Sequence, residues 1–266
     1  MKISLQKRIF LFKKKREMKI LITGSSNGIG LQIAKDLYDT KNTFVLHYNS
    51  NNKKLYNYFG NNKENIHYIK SDLSKESGAI KLFEKTSKHI GVPDTIINNA
   101  GIAQSSPIEN DLKAWTDEFD KTINTNLKSP ALICKEFILK KRKEKIKKRL
   151  RIINITSRAA FRGEVEDFIS YACSKGGLVS LTKTIARSFG KKDNVLAFSI
   201  APGFVNTEMA KSFIEKNGEE LVKKGIQLDR LTEPKDISPV VALISSGKMD
   251  HSTGSTIDIN AGSYLR

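Results

Sequence analysis

The sequence predicts a three-layer α/β fold, in which helices cover both faces of a doubly wound parallel sheet of seven strands. Short apolar runs alternate with longer amphipathic segments from residue 18 to the end of the chain. The first apolar run leads through a glycine-rich turn straight into a helical segment. A chain of 266 residues is long enough for one large core but short for two. Together these observations favour a single α/β domain.

Seven apolar runs have the length of buried strands. In chain order they are Ile20–Thr23, Phe44–His47, Ile66–Ser71, Thr95–Asn98, Arg151–Ile155, Val195–Ile200 and Thr256–Ile259. Between them lie amphipathic segments whose apolar residues recur every three or four positions. The clearest are Leu31–Tyr38, Ala79–Ile90, Ala114–Leu139, Tyr171–Phe189 and Ile237–Ser245. Repeated β-α units of this kind produce parallel strands, because each helix carries the chain back to the same edge of the sheet.

A basic segment, residues 1–17, precedes the first strand. Its apolar stretch is interrupted by Lys7 and Arg8, and no small-residue cleavage site follows, so it lacks the pattern of a secretory signal. We expect the folded domain to span residues 18–266 and residues 1–17 to be a disordered extension or a misassigned start. A basic arm directed to a membrane surface or an organelle is the alternative.

The chain is strongly basic, with 46 Lys and Arg against 28 Asp and Glu and a formal charge of +18. Much of this charge lies in two runs, Lys2–Lys19 and Lys140–Arg151, and the rest is spread over polar helix faces. We interpret the charge as a solvated surface with a compositional bias, and keep nucleic-acid binding as the alternative. No apolar run approaches the roughly 20 residues needed to cross a bilayer.

Cysteine and histidine usage gives no sign of a metal site or a disulfide framework. Cys134 and Cys173 have no CxxC spacing, which argues against a zinc ribbon. The four histidines lack the spacing of metal ligands, so we expect no metal and interpret them as surface or packing residues. They are His47, His67, His89 and His251. Few cysteines and no membrane span fit a cytoplasmic protein.

The turn after the first strand has the features of a dinucleotide-binding site. Gly24 and Gly28 let the backbone approach a pyrophosphate closely, and Gly30 lets the following helix pack against the strand. The start of that helix offers free N–H groups and partial positive charge to phosphate. The other cofactor-binding candidates in this turn are Ser26, Asn27 and Ile29.

Tyr171 and Lys175 open a predicted helix and lie four residues apart, which places both on one helix face. An ammonium group about 4–5 Å from a phenol would stabilise the phenolate by roughly 3–4 kcal/mol at an effective dielectric constant near 20. The pKa of a free tyrosine, about 10, would then fall by about two units or more. We therefore expect Tyr171 to act as a general acid or base near neutral pH.

Several motifs resemble those of the short-chain dehydrogenase/reductase family, over residues 18–266. The turn Thr23–Gly30 is similar to the family's TGxxxGIG motif, and Tyr171 and Lys175 are similar to its YxxxK motif. The further matches are the adenine-contacting pair Asp72 and Leu73, the NNAG motif with Asn99, Ala100 and Gly101, the PG motif Pro202 and Gly203, and Thr207. The resemblance implies a Rossmann-type fold in which these residues, with Tyr171 and Lys175, bind a nicotinamide cofactor.

The same resemblance implies a catalytic set of Asn126, Ser157, Tyr171 and Lys175. Ser157 matches the serine that orients the substrate carbonyl, where a hydroxyl can donate to the oxygen as charge develops. Asn126 matches the helix asparagine that holds a water in a proton relay with the lysine. In the implied mechanism Lys175 holds the nicotinamide ribose, and Tyr171 donates a proton while the nicotinamide delivers a hydride.

The end of the second strand favours NADP(H) over NAD(H). An acidic residue there would bind the ribose 2′-hydroxyl and repel a 2′-phosphate, but Val45–Ser50 contains none, and Lys53 and Lys54 follow. Asn27 departs from this pattern, because many NADP-dependent relatives have an arginine at that position. NAD(H) therefore stays open.

Chain length, motif spacing and the segment Pro202–Met209 look most like those of 3-oxoacyl-[acyl-carrier-protein] reductases. The resemblance implies an acidic acyl carrier protein as partner. The candidate basic contacts to it are Lys148, Arg149, Lys191 and Lys192. A small-molecule alcohol or ketone, such as a sugar, steroid, quinone or small ketone, is the alternative substrate.

A non-catalytic cofactor sensor or nucleic-acid-binding protein with this fold is the remote alternative. The complete set of Ser157, Tyr171 and Lys175 argues against it, since a sensor has no need of these side chains. The family is usually homotetrameric, so the resemblance implies a homotetramer here.

Overall fold

The computed structural model describes residues 17–61 and 63–266. The strands of its sheet are β1 (Lys19–Ile22), β2 (Thr43–Tyr48), β3 (Ile66–Lys70), β4 (Thr95–Asn98), β5 (Leu150–Ile155), β6 (Val195–Pro202) and β7 (Thr256–Ile259). All are parallel, in the order β3-β2-β1-β4-β5-β6-β7. The predicted α/β fold with its seven-stranded parallel sheet is confirmed. The predicted N-terminal extension, apart from Glu17, falls outside the described residues.

Ten α-helices are present in the described part of the chain. They are α1 (Gly28–Leu37), α2 (Lys53–Phe59), α3 (Glu76–Ile90), α4 (Leu112–Ile123), α5 (Ser129–Lys143), α6 (Ala159–Arg162), α7 (Ile169–Asp193), α8 (Glu208–Asn217), α9 (Glu219–Lys223) and α10 (Pro234–Ser245). The single helix predicted over Ala114–Leu139 is divided, because a π-helical turn at Asn124–Lys128 separates α4 from α5. Apolar periodicity does not predict α2, α6, α8 and α9, whose 4 to 10 residues offer too few repeating positions.

Two apolar layers, one on each face of the sheet, form the core. Along β1, Ile20 and Ile22 belong to one layer and Leu21 to the other, as alternation in a strand requires. On the first face α1 packs against α10, and on the second α3 packs against α5. Both faces are therefore buried, which explains why the strands read as continuous apolar runs.

The strand order reverses at the centre of the sheet. β1 pairs with β2 on one side and with β4 on the other, so the chain builds outward in both directions from β1. At such a point the segments that follow the two strands diverge and leave a crevice at their carboxyl ends. This crevice is where the topology places a ligand.

The second basic run, Lys140–Arg151, is less solvated than the sequence analysis expects. Arg149 and Arg151 both make ion pairs with Asp250, at 2.6 and 2.7 Å. Lys141 is buried, and its ammonium group donates to the carbonyl oxygen of Ile146. For Lys141 and Arg151 the interpretation as a solvated surface is wrong, because these side chains are largely withdrawn from solvent, whereas Arg149 stays exposed.

None of the helices within residues 17–61 and 63–266 is long and apolar enough to cross a membrane.

Candidate active site

The glycine-rich turn after β1 has no room for side chains. Gly24 and Gly28 have φ angles of 63° and 51°, in the left-handed region that favours glycine. A Cβ atom at Gly24 would lie 2.8 Å from the Cα of Ala100, and one at Gly30 would lie 2.3 Å from the carbonyl oxygen of Gly24. The turn therefore presents bare backbone beside the start of α1. Such a cradle, which a Cβ atom would fill, fits the pyrophosphate of a dinucleotide.

The segment after β4 is fastened directly to this turn. The amide nitrogen of the Asn99 side chain donates to the carbonyl oxygens of Thr23 and Gly24, at 3.1 and 2.9 Å. In return the Thr23 hydroxyl accepts from the backbone N–H groups of Asn99 and Ala100, at 3.0 Å each. The structure thus brings the predicted NNAG motif against the predicted glycine motif.

His47, at the end of β2, is a second support of the turn. Its Nδ1 accepts from the N–H of Gly24 at 3.0 Å, and its Nε2 lies 3.0 Å from the carbonyl oxygen of Ser71. These partners require a neutral ring that carries its proton on Nε2, because Nδ1 must accept. This role of His47 is not predicted from the sequence, where the residue is interpreted as a surface or packing residue. A buried histidine within an apolar strand was the available signal, since both of its nitrogens need partners.

The other cofactor-binding candidates lie around the same crevice. Asn27 is exposed at the N-terminal boundary of α1, where its side chain makes no capping hydrogen bond. Ser26 is partly buried in the turn, and Ile29 packs against the core from the first turn of α1. After β3, the Asp72 carboxylate accepts from the N–H and hydroxyl of Ser74, at 3.0 and 2.7 Å. The buried Leu73 follows it.

The PG motif at the end of β6 closes the opposite side of the crevice. A Cβ atom at Gly203 would lie 2.8 Å from the Cα of Asn260, so the chain passes too close here for any other residue. Thr207, just before α8, lies close to the glycine turn: a Cβ atom added at Gly28 would be 3.3 Å from the Cγ2 atom of Thr207. Thr207 therefore lies against the glycine turn, and Pro202 and Gly203 lie at the end of β6, on the same edge of the sheet.

Lys175 and Asn126 meet beneath the NNAG motif. The Lys175 ammonium donates to the carbonyl oxygen of Ile155 at 2.9 Å. The Asn126 side chain accepts from the N–H of Ile102 and donates to its carbonyl oxygen, both at 2.8 Å. A Cβ atom at Gly101 would lie 3.2 Å from Asn126 Oδ1 and 3.3 Å from Lys175 Nζ. All three predicted residues are thus brought together, with Asn126 on the π-helical turn.

Ser157 and Tyr171 complete this cluster. Ser157 follows β5, where its Oγ accepts from the N–H of Ala159 at 3.1 Å, and its side chain lies near enough to Tyr171 to act against the rise of the Tyr171 pKa. The Lys175 ammonium lies 5.6 Å from the centre of the Tyr171 ring. Ser174, between Tyr171 and Lys175, accepts from the Asn126 side chain at 3.0 Å and donates to the Tyr171 carbonyl oxygen at 2.7 Å. Sequence reasoning gives no signal for Ser174, because its role depends on the π-helical turn.

The four basic residues considered for a carrier protein lie at the other edge of the sheet. Lys148 and Arg149 precede β5, whereas Ser157 follows it. Lys191 and Lys192 are in the last turn of α7, just before β6 begins. Parallel strands place all of their amino ends on one edge, so a partner bound to these residues would be remote from this chain's own Ser157. These candidate contacts to a carrier protein therefore do not lie at the mouth of this chain's own site.

Among the residues that the structure describes, no three histidine, cysteine or acidic side chains form a group that could hold a metal ion.

Comparison with protein families shows which family shares this sequence. The sequence model of the family described as short chain dehydrogenase matches residues 18–218. The chain belongs to the short-chain dehydrogenase/reductase family. That span includes every residue of the site described above, from the glycine turn to Thr207.

Relatives within the short-chain dehydrogenase/reductase family agree with this assignment. The chain is 31% identical over 246 residues to 3-oxoacyl-[acyl-carrier-protein] reductase of Rickettsia prowazekii, which covers 92% of this chain and 96% of that protein. The corresponding Aquifex aeolicus reductase is 28% identical, again over 92% of this chain and 96% of that protein. A structure of 4-hydroxyisoleucine dehydrogenase in complex with NADH matches with a TM-score of 0.82 and 28% identity, over 93% and 98% of the two chains. The protein is thus an NAD(P)-dependent oxidoreductase that acts on CH–OH or C=O groups.

Burial controls the electrostatics of this short-chain dehydrogenase/reductase site. It lowers the pKa of Lys175 from 10.5 to about 8, because an ammonium group loses water when it enters the interior. It also raises the pKa of Tyr171, while the hydrogen bond from Ser157 acts in the opposite direction. The lowered Tyr171 pKa expected from the sequence is therefore not found in this structure. For Tyr171, loss of water outweighs the lowering effects of Ser157 and Arg158.

Replacement of Lys175 by methionine is expected to stabilise the fold. Between about pH 8 and pH 10.5, Lys175 is protonated in the unfolded state but neutral in the folded state. The free energy of unfolding therefore decreases as the pH falls through this range, and below it the buried charge of Lys175 destabilises the fold. Loss of the hydrogen bond to Ile155 offsets part of the gain, which leaves roughly 2 kcal/mol at neutral pH. Urea unfolding of Lys175→Met measures this, with Lys183→Met, on the exposed side of α7, as the control. A less stable Lys175→Met protein would contradict the prediction.

Acid is expected to weaken the fold through His47. Burial lowers the pKa of His47 from 6.5 to about 4, so between these values the unfolded state binds a proton that the folded state lacks. Stability should then fall by about 3 kcal/mol as the pH drops through this window. The free energy of unfolding of His47→Asn should fall less than that of the wild type. Exposed His251→Asn is the control. Equal losses in wild type and His47→Asn would refute the role given to His47.

Proposed function

We propose that this protein reduces a carbonyl group to a secondary alcohol with NAD(P)H, and that 3-oxoacyl-[acyl-carrier-protein] reduction in fatty-acid synthesis is its first candidate reaction. One observation carries the proposal. Ser157, Tyr171 and Lys175 converge at the carboxyl edge of the sheet, beside the glycine cradle. A hydroxyl, a phenol and a buried cation in one cluster are suited to proton transfer at a carbonyl oxygen.

In this proposal the cradle at Gly24, Gly28 and Gly30 would hold the pyrophosphate, and Asp72 and Leu73 would contact the adenine end. Pro202 and Gly203 would hold the nicotinamide end. Lys175 uses one of its three N–H donors on Ile155, which leaves two for the ribose hydroxyls. A bound nicotinamide supplies the hydride in reduction and accepts it in oxidation.

The protein's own side chains then handle the proton. Ser157 donates a hydrogen bond to the carbonyl oxygen, which stabilises the negative charge that develops there. Tyr171 donates the proton that makes this oxygen a hydroxyl, and the resulting phenolate is stabilised by the nearby Lys175 charge. Asn126 fixes Ile102 and Ser174 and so maintains the geometry around Lys175. In oxidation the same proton moves from the alcohol to Tyr171.

The region after β2 supports a preference for NADP(H). No carboxylate occurs at Asn49 or Ser50, which are exposed beyond the end of this strand. Lys53 and Lys54 follow on α2, and the Lys54 ammonium lies 2.7 Å from the Glu208 carboxylate. Both members of this pair are more than half exposed, so the interaction is weak and a 2′-phosphate could replace Glu208 as the partner of Lys54. The exposed Asn27 adds no charge, so NAD(H) is kept as the second cofactor.

Two substrate classes are kept, each with its own support. Sequence similarity to 3-oxoacyl-[acyl-carrier-protein] reductases favours a carrier-bound 3-oxoacyl chain with an acidic carrier protein as partner. Structural similarity to 4-hydroxyisoleucine dehydrogenase favours a small alcohol or ketone. We also propose that the protein is a cytoplasmic homotetramer and that it binds no specific nucleic acid.

The assignment of Tyr171 is tested by its replacement with phenylalanine. Tyr171→Phe retains the ring and its packing but loses the proton, so cofactor binding should persist while reductase turnover falls to a few per cent of wild type or less. NADPH and NADH oxidation would be followed with acetoacetyl-carrier protein and with a panel of free ketones. Turnover of Tyr171→Phe well above a few per cent would overturn the assignment. The better wild-type substrate decides between the two classes.

A further inference from the structure

Arg158 is a charged residue at the centre of the site that the proposed reaction does not use. It directly follows Ser157, and its N–H donates to the carbonyl oxygen of Pro202 at 3.0 Å. Its own carbonyl accepts from the N–H groups of Phe161 and Arg162, at 3.0 and 3.1 Å, where α6 begins. The backbone of Arg158 is thus fixed between the end of β6 and the start of α6. The residue is partly buried.

The surroundings of Arg158 leave its positive charge without an ion-pair partner among the described residues. Glu164 is the acidic residue whose charge acts on it, but that carboxylate is paired with Arg162 at 2.6 Å. Burial lowers the pKa of Arg158, as expected for a cation that has lost water without a full partner. An unpaired, partly buried cation costs free energy, which a bound anion would recover.

Arg158 also lies within electrostatic reach of the proton donor. Its charge lowers the pKa of Tyr171, and Tyr171 in turn raises the pKa of Arg158. A group bound by Arg158 would therefore be close to the carbonyl that Ser157 and Tyr171 hold. Guanidinium groups bind carboxylate and phosphate through two parallel hydrogen bonds, which fixes orientation as well as charge.

We propose that Arg158 binds an anionic group of the substrate, and that this protein prefers carbonyl compounds that carry a carboxylate or phosphate near the reacting carbon. The inference rests on the proposed reductase function, for which it names a substrate class. A 3-oxo acid has such a carboxylate, whereas its ester is neutral at the same position. In a carrier-bound chain the thioester at this position is neutral, and the phosphate lies at the far end of the carrier arm, away from the reacting carbon.

The decisive experiment compares three probes that share one ketone: acetoacetate, ethyl acetoacetate and acetoacetyl-coenzyme A. Arg158→Gln should lower kcat/KM for acetoacetate by about 10- to 100-fold, mainly through KM, and that for the neutral ester and the thioester by less than about threefold. Arg158→Lys should recover part of the loss, because it keeps the charge without the two-pronged geometry. The control is Arg187→Gln, at an exposed position on α7.

The identity of the affected probe shows where the anion lies. Selective loss on acetoacetate supports an anion site beside the reacting carbon, whereas selective loss on the coenzyme A thioester would place the anion at the far end of the arm and contradict the proposal. Calorimetry of acetoacetate and of coenzyme A with the protein–NADP⁺ complex gives a readout that needs no turnover, and Arg158→Gln should weaken the binding of acetoacetate alone. The fold of each variant is checked by thermal unfolding.

Two results would overturn the role of Arg158. One is an equal loss on all three probes, which would mean that Arg158 acts through Tyr171 or through the fold. The other is an absence of any effect of Arg158→Gln on turnover and on binding of both anions. If the ester is still reduced in a Tyr171-dependent manner in either case, the proposed reductase function stands while the anion site fails.

Discussion

Lys175 carries its ammonium group into the protein interior, where only 4% of the residue is exposed, and donates to the carbonyl oxygen of Ile155. The rest of the site is built around this one buried charge. The acceptor exists because β5 ends at Ile155. The lysine reaches it because α7 begins just before Tyr171. Asn126, Gly101 and Ser174 surround the charge and fix the helix that carries it. The buried ammonium group of Lys175 lowers the stability of the fold, but it is held in place before any ligand binds.

Burial also explains the main difference between the site expected from sequence and the site observed. A four-residue spacing correctly places Tyr171 and Lys175 on one helix face. The estimate of their attraction, however, assumes that both groups keep much of their water. In the folded protein both lose it, so each pKa moves toward the neutral form. The proposed mechanism therefore needs further positive charge near Tyr171, which an oxidised nicotinamide would supply when it is bound.

Sequence reasoning succeeds where a local pattern has one physical explanation. The seven strands are readable because a parallel strand buried on both faces must be apolar throughout. Likewise, the glycine turn leaves no space for a Cβ atom, so its spacing is diagnostic. It fails where the outcome depends on contacts between distant segments. The interruption between α4 and α5, the two hydrogen bonds of His47 and the pairing of Arg149 and Arg151 with Asp250 all belong to this group. The assignment of four basic residues to the mouth of the site failed for a different reason: the predicted parallel sheet already places residues that precede a strand at the amino edge, opposite Ser157, and this constraint was not applied.

The central claim is that Tyr171 is the proton donor and that positive charge around it makes this role possible. The most direct test is the pH titration of phenolate absorbance in wild type minus Tyr171→Phe, recorded with and without NADP⁺. The account predicts that the Tyr171 pKa is high in the free protein and falls when NADP⁺ binds. A Tyr171 pKa that stays unchanged or rises on binding would contradict it.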